Sequence, residues 1–133
     1  MQTMLKATRP HYSREPFGAA LKGLMAERHL SFRQLAYMTQ LSAGYLNHLT
    51  KGTRPLPADP VIGTIAAALR IEADFFREYR LRQVAEALDS STQLLDALYG
   101  VLLHHAPVSK DVDAMLERYV KGNGDSRSQV LAV

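Results

Sequence analysis

The 133-residue chain has no cysteine and no tryptophan. The missing cysteine excludes disulfides, thiolate metal sites and a thiol nucleophile together. Long hydrophobic runs are missing as well: no stretch approaches the roughly 18 uninterrupted apolar residues of a membrane span. The opening segment, MQTMLKATRPHYSRE, has no apolar block of signal-peptide length. A soluble, cytoplasmic protein with no membrane association is the expectation. There is no glycine-rich phosphate loop and no Ser-His-Asp arrangement with local context, nor are there repeats or alternating strand-like runs. His104 and His105 are adjacent, about 100° apart on a helix, so they do not form an i, i+4 metal pair. Asp111 and Asp113 fall in a helix first turn, where they complement the dipole. No catalytic group, cofactor or metal site is expected, and the chain reads as a non-enzyme.

What is present is helical. Apolar residues make up 47% of the chain and charged residues 22%, a balance that suits a folded core rather than disorder. Their spacing of three and four predicts an all-α fold. Ser13 and Pro16 open a first helix with Phe17, Leu21, Leu24, Met25 and Arg28 on one stripe. Gly18 and Gly23 weaken that helix in isolation, so packing must hold it. Ser31 and Ser42 stand as N-caps of two short helices that meet within about four residues around 39–41. Gly52 ends the second of them, and Thr53-Arg54-Pro55-Leu56-Pro57 forces an extended connection.

Asp59 as N-cap and Pro60 as first helical residue open a fourth helix. Val61, Ile62, Ile65, Ala66, Ala68 and Leu69 make it apolar nearly all round. A fifth runs from 74 to about 88, its buried side drawn from Phe75, Phe76, Tyr79, Val84, Ala85 and Leu88. Asp89-Ser90-Ser91 interrupts, and a sixth carries Leu94, Leu95, Leu98, Val101 and Leu102 to about 104. Ser109 caps a last short helix with Val112, Met115, Leu116, Tyr119 and Val120.

Charge is distributed unevenly. Residues 1–57 hold eight Lys and Arg against two acidic residues, and residues 58–133 hold eight against eleven. The positive half is the one containing the capped helix pair, as a phosphate-binding surface requires.

Residues 17–76 resemble the phage-repressor-like (Cro/C1, or XRE-type) helix-turn-helix family of transcription regulators. The resemblance lies in Leu21, Leu24, Met25 and Arg28, then Ser31, Leu35, Ala36, Leu41, Ser42, Tyr45, Leu46, Leu49 and Lys51-Gly52. It closes with Pro55, Ile65, Ala66, Leu69, Ile71 and Phe75-Phe76. It implies a five-helix, lambda-repressor-like DNA-binding bundle with additional C-terminal helices. On that frame residues 1–12 are a flexible arm and 13–73 the helix-turn-helix domain. Residues 74–121 form a C-terminal helical region for dimerisation or effector response, and 122–133 a disordered tail.

The resemblance implies a sequence-specific DNA-binding regulator whose recognition helix, about 43–50, enters the major groove of double-stranded DNA. Asn47 is the side chain suited to a bidentate contact, favouring adenine. Ala43 and Gly44 permit close approach, and Ala43 can meet a thymine methyl. Ser31, Arg33 and Gln34 are phosphate ligands at the preceding helix start. Ser42, Tyr45, His48, Lys51, Thr53 and Arg54 complete the footprint. Phe32 and Ala43 depart from the polar residues common in the family: Phe32 belongs to the footprint either as a wedge against a sugar or base edge or, the favoured role, by packing, and Ala43 leaves direct base readout thin. A homodimer through the C-terminal helices would set two recognition helices about one DNA turn, roughly 34 Å, apart. A protein or small-molecule effector is a further candidate partner, the apolar stretch 94–103 being a candidate pocket. The alternatives are the antitoxin of a toxin–antitoxin pair, and a protein-interaction module of this fold that has lost DNA binding.

Overall fold

The computed structural model describes residues 12–106 and 113–118. Among them every regular element is helical. The order is α1 (Phe17–Glu27), α2 (Phe32–Thr39), α3 (Ala43–Lys51), α4 (Asp59–Ala68), a 3₁₀ turn (Ala73–Phe75), α5 (Arg77–Ser90) and α6 (Thr92–Leu103), with residues 113–118 also helical. The expected N-terminal arm except Tyr12, the Ser109 cap, Val112, Tyr119, Val120 and the tail 122–133 lie outside the described residues. No described helix is long and apolar enough to cross a membrane.

The chain divides into two units, Met1–Gln83 and Val84–Val133. The first is built around Leu21, Leu35, Leu46, Ile62, Ile65, Leu69 and Phe76, all fully buried. These residues come from α1 to α4, with Leu69 just after α4 and Phe76 just after the 3₁₀ turn. Helix α3 packs on α1 and α2, α2 also packs on α4, and α4 meets the 3₁₀ turn. The Phe17 and Phe76 rings lie 4.6 Å apart at their centroids, closing the two ends of the unit on each other. Gly18 lets α1 and α3 approach: a Cβ there would sit 2.5 Å from the Leu49 carbonyl oxygen and 2.9 Å from that of Thr50.

Several boundaries differ from the sequence expectation for identifiable reasons. Pro16 is the N-cap of α1 rather than its first residue, and it has no side chain able to cap. The cap comes from elsewhere: the Phe17 N–H donates to Glu78 Oε2 at 2.9 Å, a carboxylate 61 residues away. Ser13 is likewise not a helix cap; its N–H donates to the Phe75 carbonyl at 2.9 Å. Ala58, not Asp59, is the N-cap of α4. The Asp59 carboxylate instead takes Arg82 at 2.6 Å and Gln83 at 2.8 Å. Helix α4 is buried on one side only, at Ile62, Ile65 and Ala66, with Pro60, Thr64 and Ala67 exposed. The fifth helix starts at Arg77, because Phe76 is extended (φ −82°, ψ 129°) after the 3₁₀ turn.

In the second unit, Ser91 interrupts the helical run and caps α6, accepting from the Leu94 N–H at 3.2 Å. Leu94 is the buried residue of α6. Val84 and Ala85, expected on a buried side, are exposed.

Candidate nucleic-acid interface

Helix α2 begins with a reciprocal cap. The Ser31 hydroxyl accepts from the Gln34 N–H at 3.1 Å, and the Ser31 N–H donates to Gln34 Oε1 at 2.8 Å. Two of the helix's unpaired donors are thereby satisfied. Ser31, Arg33 and Gln34 are all exposed. Phe32 is half-buried against the core. It supplies packing and no hydrogen bond.

The turn from α2 to α3 spans residues 40–42 and is fixed by Thr39, a buried polar residue. Its hydroxyl donates to the Leu35 carbonyl at 2.8 Å and accepts from the Leu41 N–H at 3.3 Å. Gln40 takes the left-handed conformation (φ 63°) that turns the chain. Ser42 then caps α3, accepting from the Tyr45 N–H at 3.0 Å.

Leu46 and Leu49 anchor α3 in the core, and its outward line is Gly44, His48 and Lys51, all exposed. Ala43, Tyr45 and Asn47 are half-buried beside that line, Tyr45 leaning on the core. Nothing lies within 4 Å of where a Gly44 Cβ would be, so a second molecule could approach the backbone of the first turn closely. Gly52 closes α3 at φ 72°, and Thr53 folds back under it. The Thr53 N–H donates to the His48 carbonyl at 3.1 Å, and the Thr53 hydroxyl lies 2.8 Å from His48 Nδ1. That pairing orients the imidazole and leaves Nε2 as its other polar atom.

Two cations of this unit are held by its own groups. Arg80 is consumed internally, donating to the carbonyls of Asp74, Phe75 and Ser13 at 2.8–2.9 Å. Arg82 is bound to Asp59 and the Pro57 carbonyl. Partial burial alone would raise the Asp59 carboxyl, but hydrogen bonds from Arg82 and Gln83 and the charge of Arg82 outweigh it and hold the group below its ordinary value. Arg33, Lys51 and Arg54, by contrast, are exposed. They take no part in the ion pairs Arg28–Glu27 and Arg82–Asp59.

Of the sequence-derived site residues, Ser31, Arg33, Gln34, Ser42, Gly44, His48, Lys51, Thr53 and Arg54 are exposed, and Phe32, Ala43, Tyr45 and Asn47 are half-buried. Sequence reasoning missed Thr39, whose role depends on two backbone partners, and it did not single out His48 as the centre of the outward line. A three- and four-residue count from Gly44 to His48 and Lys51 contained that signal. In the second unit, a cavity of about 460 Å³ is lined by Gln93, Asp96, Ala114, Met115 and Arg118, not by the leucines of 94–103. No family model, curated protein or solved structure matches the chain.

Proposed function

We propose that the chain is a sequence-specific DNA-binding transcription regulator of the phage-repressor-like helix-turn-helix type, acting as a homodimer with α3 in the major groove. The observation that carries the reading is the α3 outer line, Gly44, His48 and Lys51, flanked by exposed Arg33 and Arg54. A short helix with a small residue in its first turn can lie close to base edges. Lys51 and Arg54 at its C-terminal end, and Arg33 on α2, then serve phosphates. His48 and Asn47 are the side chains offered for base contacts. Ser31, Ser42, Gln34, Arg33, Tyr45, Lys51, Thr53 and Arg54 serve the backbone, and Phe32 holds α2 in place. Leu95, Tyr99, Leu102 and Leu103, between 43% and 62% exposed on α6, supply a surface for a second copy.

The test is DNA binding by fluorescence anisotropy against the protein's own upstream region and a random duplex, at rising salt. Binding to both should fall with a log–log slope of about −0.9 per phosphate contacted. Lys51→Ala should weaken specific and random duplexes equally. Asn47→Ala and His48→Ala should each reduce the ratio between them, by about tenfold for loss of one good base contact. Equal losses on both duplexes remove those residues from base readout, and no binding at low salt removes the reading altogether. One observation favours a protein-interaction module instead: Tyr37 is 82% exposed and Met38 48% on the outer side of α2. Co-purification of a neighbour-encoded protein in the absence of DNA binding would select that reading, or the antitoxin form of it.

A further inference from the structure

Gly52, left-handed at φ 72°, turns the chain so that the Thr53 N–H closes onto the His48 carbonyl at 3.1 Å. The same turn brings the Thr53 side chain under the imidazole. Its hydroxyl oxygen lies 2.8 Å from His48 Nδ1 and 3.2 Å from the His48 carbonyl oxygen. A hydroxyl has one hydrogen and a carbonyl oxygen has none. With that hydrogen on the Nδ1 side, two oxygens would face each other at 3.2 Å with nothing between them. With it on the carbonyl side, the ring supplies the hydrogen for the shorter contact, and both contacts are hydrogen bonds. Thr53 therefore donates to the carbonyl, and His48 donates from Nδ1 to Thr53.

A neutral imidazole has a single N–H, so a ring that donates from Nδ1 carries a bare Nε2. His48 is exposed on the outward line between Gly44 and Lys51. Gly44, one turn earlier, has no side chain to hold a second molecule off that line. The polar atom left to the ring is thus an acceptor, whereas Lys51 and Arg54 can only donate. In a major groove an acceptor is matched by an exocyclic amino group, N4 of cytosine or N6 of adenine. Guanine N7 and O6 and thymine O4 are themselves acceptors and repel it.

We propose that Thr53 fixes His48 as a hydrogen-bond acceptor, and that His48 thereby reads an exocyclic amino group, on cytosine or adenine, and rejects guanine. That base class rests on the reading of α3 as the base-contacting helix; the place of the ring hydrogen does not. Thr53 is a positioning residue, changing which base is read without touching it.

The hydrogen is located first, without DNA. In the full chain carrying isotope-labelled histidine, at about pH 8 where imidazole is neutral, two-bond proton–nitrogen correlations distinguish the hydrogen-bearing ring nitrogen from the bare one. The His48 signals are those lost in His48→Gln. The hydrogen should sit on Nδ1 in the native chain and in Thr53→Ser. In Thr53→Val, which keeps the shape and removes the hydroxyl, it should return mainly to Nε2, its ordinary site in free histidine. A native ring with the hydrogen on Nε2 overturns the proposal, and an Nδ1 hydrogen that persists in Thr53→Val removes Thr53 from it.

Base choice is read next, by selecting duplexes from a randomised pool at the same pH. The position whose preference vanishes in His48→Ala should hold cytosine or adenine for the native chain and for Thr53→Ser. Which of the two is recovered tells N4 from N6. Thr53→Val should lose about tenfold of that preference, the worth of one good base contact, and favour guanine or thymine. Guanine or thymine selected by the native chain overturns the amino-group assignment, as does one base shared by all three proteins. A native chain that enriches no duplex overturns the regulator reading and the base class with it. The ring hydrogen, measured without DNA, separates that failure from an error about Thr53.

Discussion

Helices α4 and α6 are both dominated by aliphatic residues, yet α4 buries Ile62, Ile65 and Ala66 whereas α6 buries Leu94 alone. Helix α4 lies between α2 and the 3₁₀ turn, and its residues away from the core are short or polar, such as Pro60, Thr64 and Ala67. Helix α6 keeps Leu95, Tyr99, Leu102 and Leu103 between 43% and 62% exposed. Apolar composition is thus a capacity for burial, and neighbours decide whether it is used. The first unit puts most of its aliphatic residues into its own core, leaving Tyr37, Met38 and Leu81 exposed. In the second unit several of them, Leu95, Tyr99, Leu102 and Leu103 on α6, stay exposed.

The comparison can be broken most directly by truncating one residue from each side. Phe76→Ala removes a fully buried ring in contact with Phe17 and Phe75. It should cost about 3–5 kcal/mol in urea unfolding followed by circular dichroism. Leu102→Ala should stay within about 0.5 kcal/mol at low protein concentration. A loss for Leu102→Ala that grows with protein concentration would show that a second copy covers α6, and the contrast would then describe only the isolated chain.

A sharper version uses the two glycines of α1. Gly18→Ala places a methyl 2.5 Å from the Leu49 carbonyl oxygen, backbone that cannot turn aside. It should lower stability by about 2 kcal/mol despite the better helix propensity. Gly23→Ala meets nothing within 4 Å and should raise stability by about 0.5–1 kcal/mol. Thermal melts of the pair distinguish close helix packing from intrinsic propensity, and a stabilising Gly18→Ala would remove the close approach of α1 to α3.

The smallest effect is set by pH. Asp59 is held below its ordinary value by Arg82 and Gln83, so its contribution is present above the unfolded-state value near 4 and is lost as pH falls through the lower folded value. Asp59→Asn should therefore be less stable than the native chain by about 1 kcal/mol at neutral pH. The difference should begin to shrink at about pH 4 and close only below the lower folded value. A gap that persists at pH 2 would mean that shape, not charge, joins α4 to α5.

Much of the first unit was legible because its signals are local. Ser31 and Ser42 each bond a backbone N–H three residues on, and Gly52 takes a left-handed turn, so a short window of sequence contains the whole cause. Where the cause is distant, local reading failed. Glu78 caps α1 across 61 residues, and Asp59 leaves its own helix end for Arg82. Helix ends at His29, Gln40 and Arg70 are left-handed without glycine (φ 52°, 63° and 58°) and so carried no obvious stop signal. The candidate interface shows the same division. Its residues came from the family resemblance, whereas the outward place of His48 depends on the rotation of α3 against the core and on Thr53 folding back to meet the ring.

By itself, the sequence determined that the chain is helical, where its short helices are capped, and that its positive charge gathers on the half with the paired helices. These follow from period, from side chains that reach only a turn away, and from composition. Tertiary structure alone decided which apolar residues became core, which arginines were consumed internally, and which side of α3 faces outward. Those outcomes depend on contacts between segments far apart in the chain, and an aliphatic residue of α4 or of α6 carries no mark of the partner it will or will not meet.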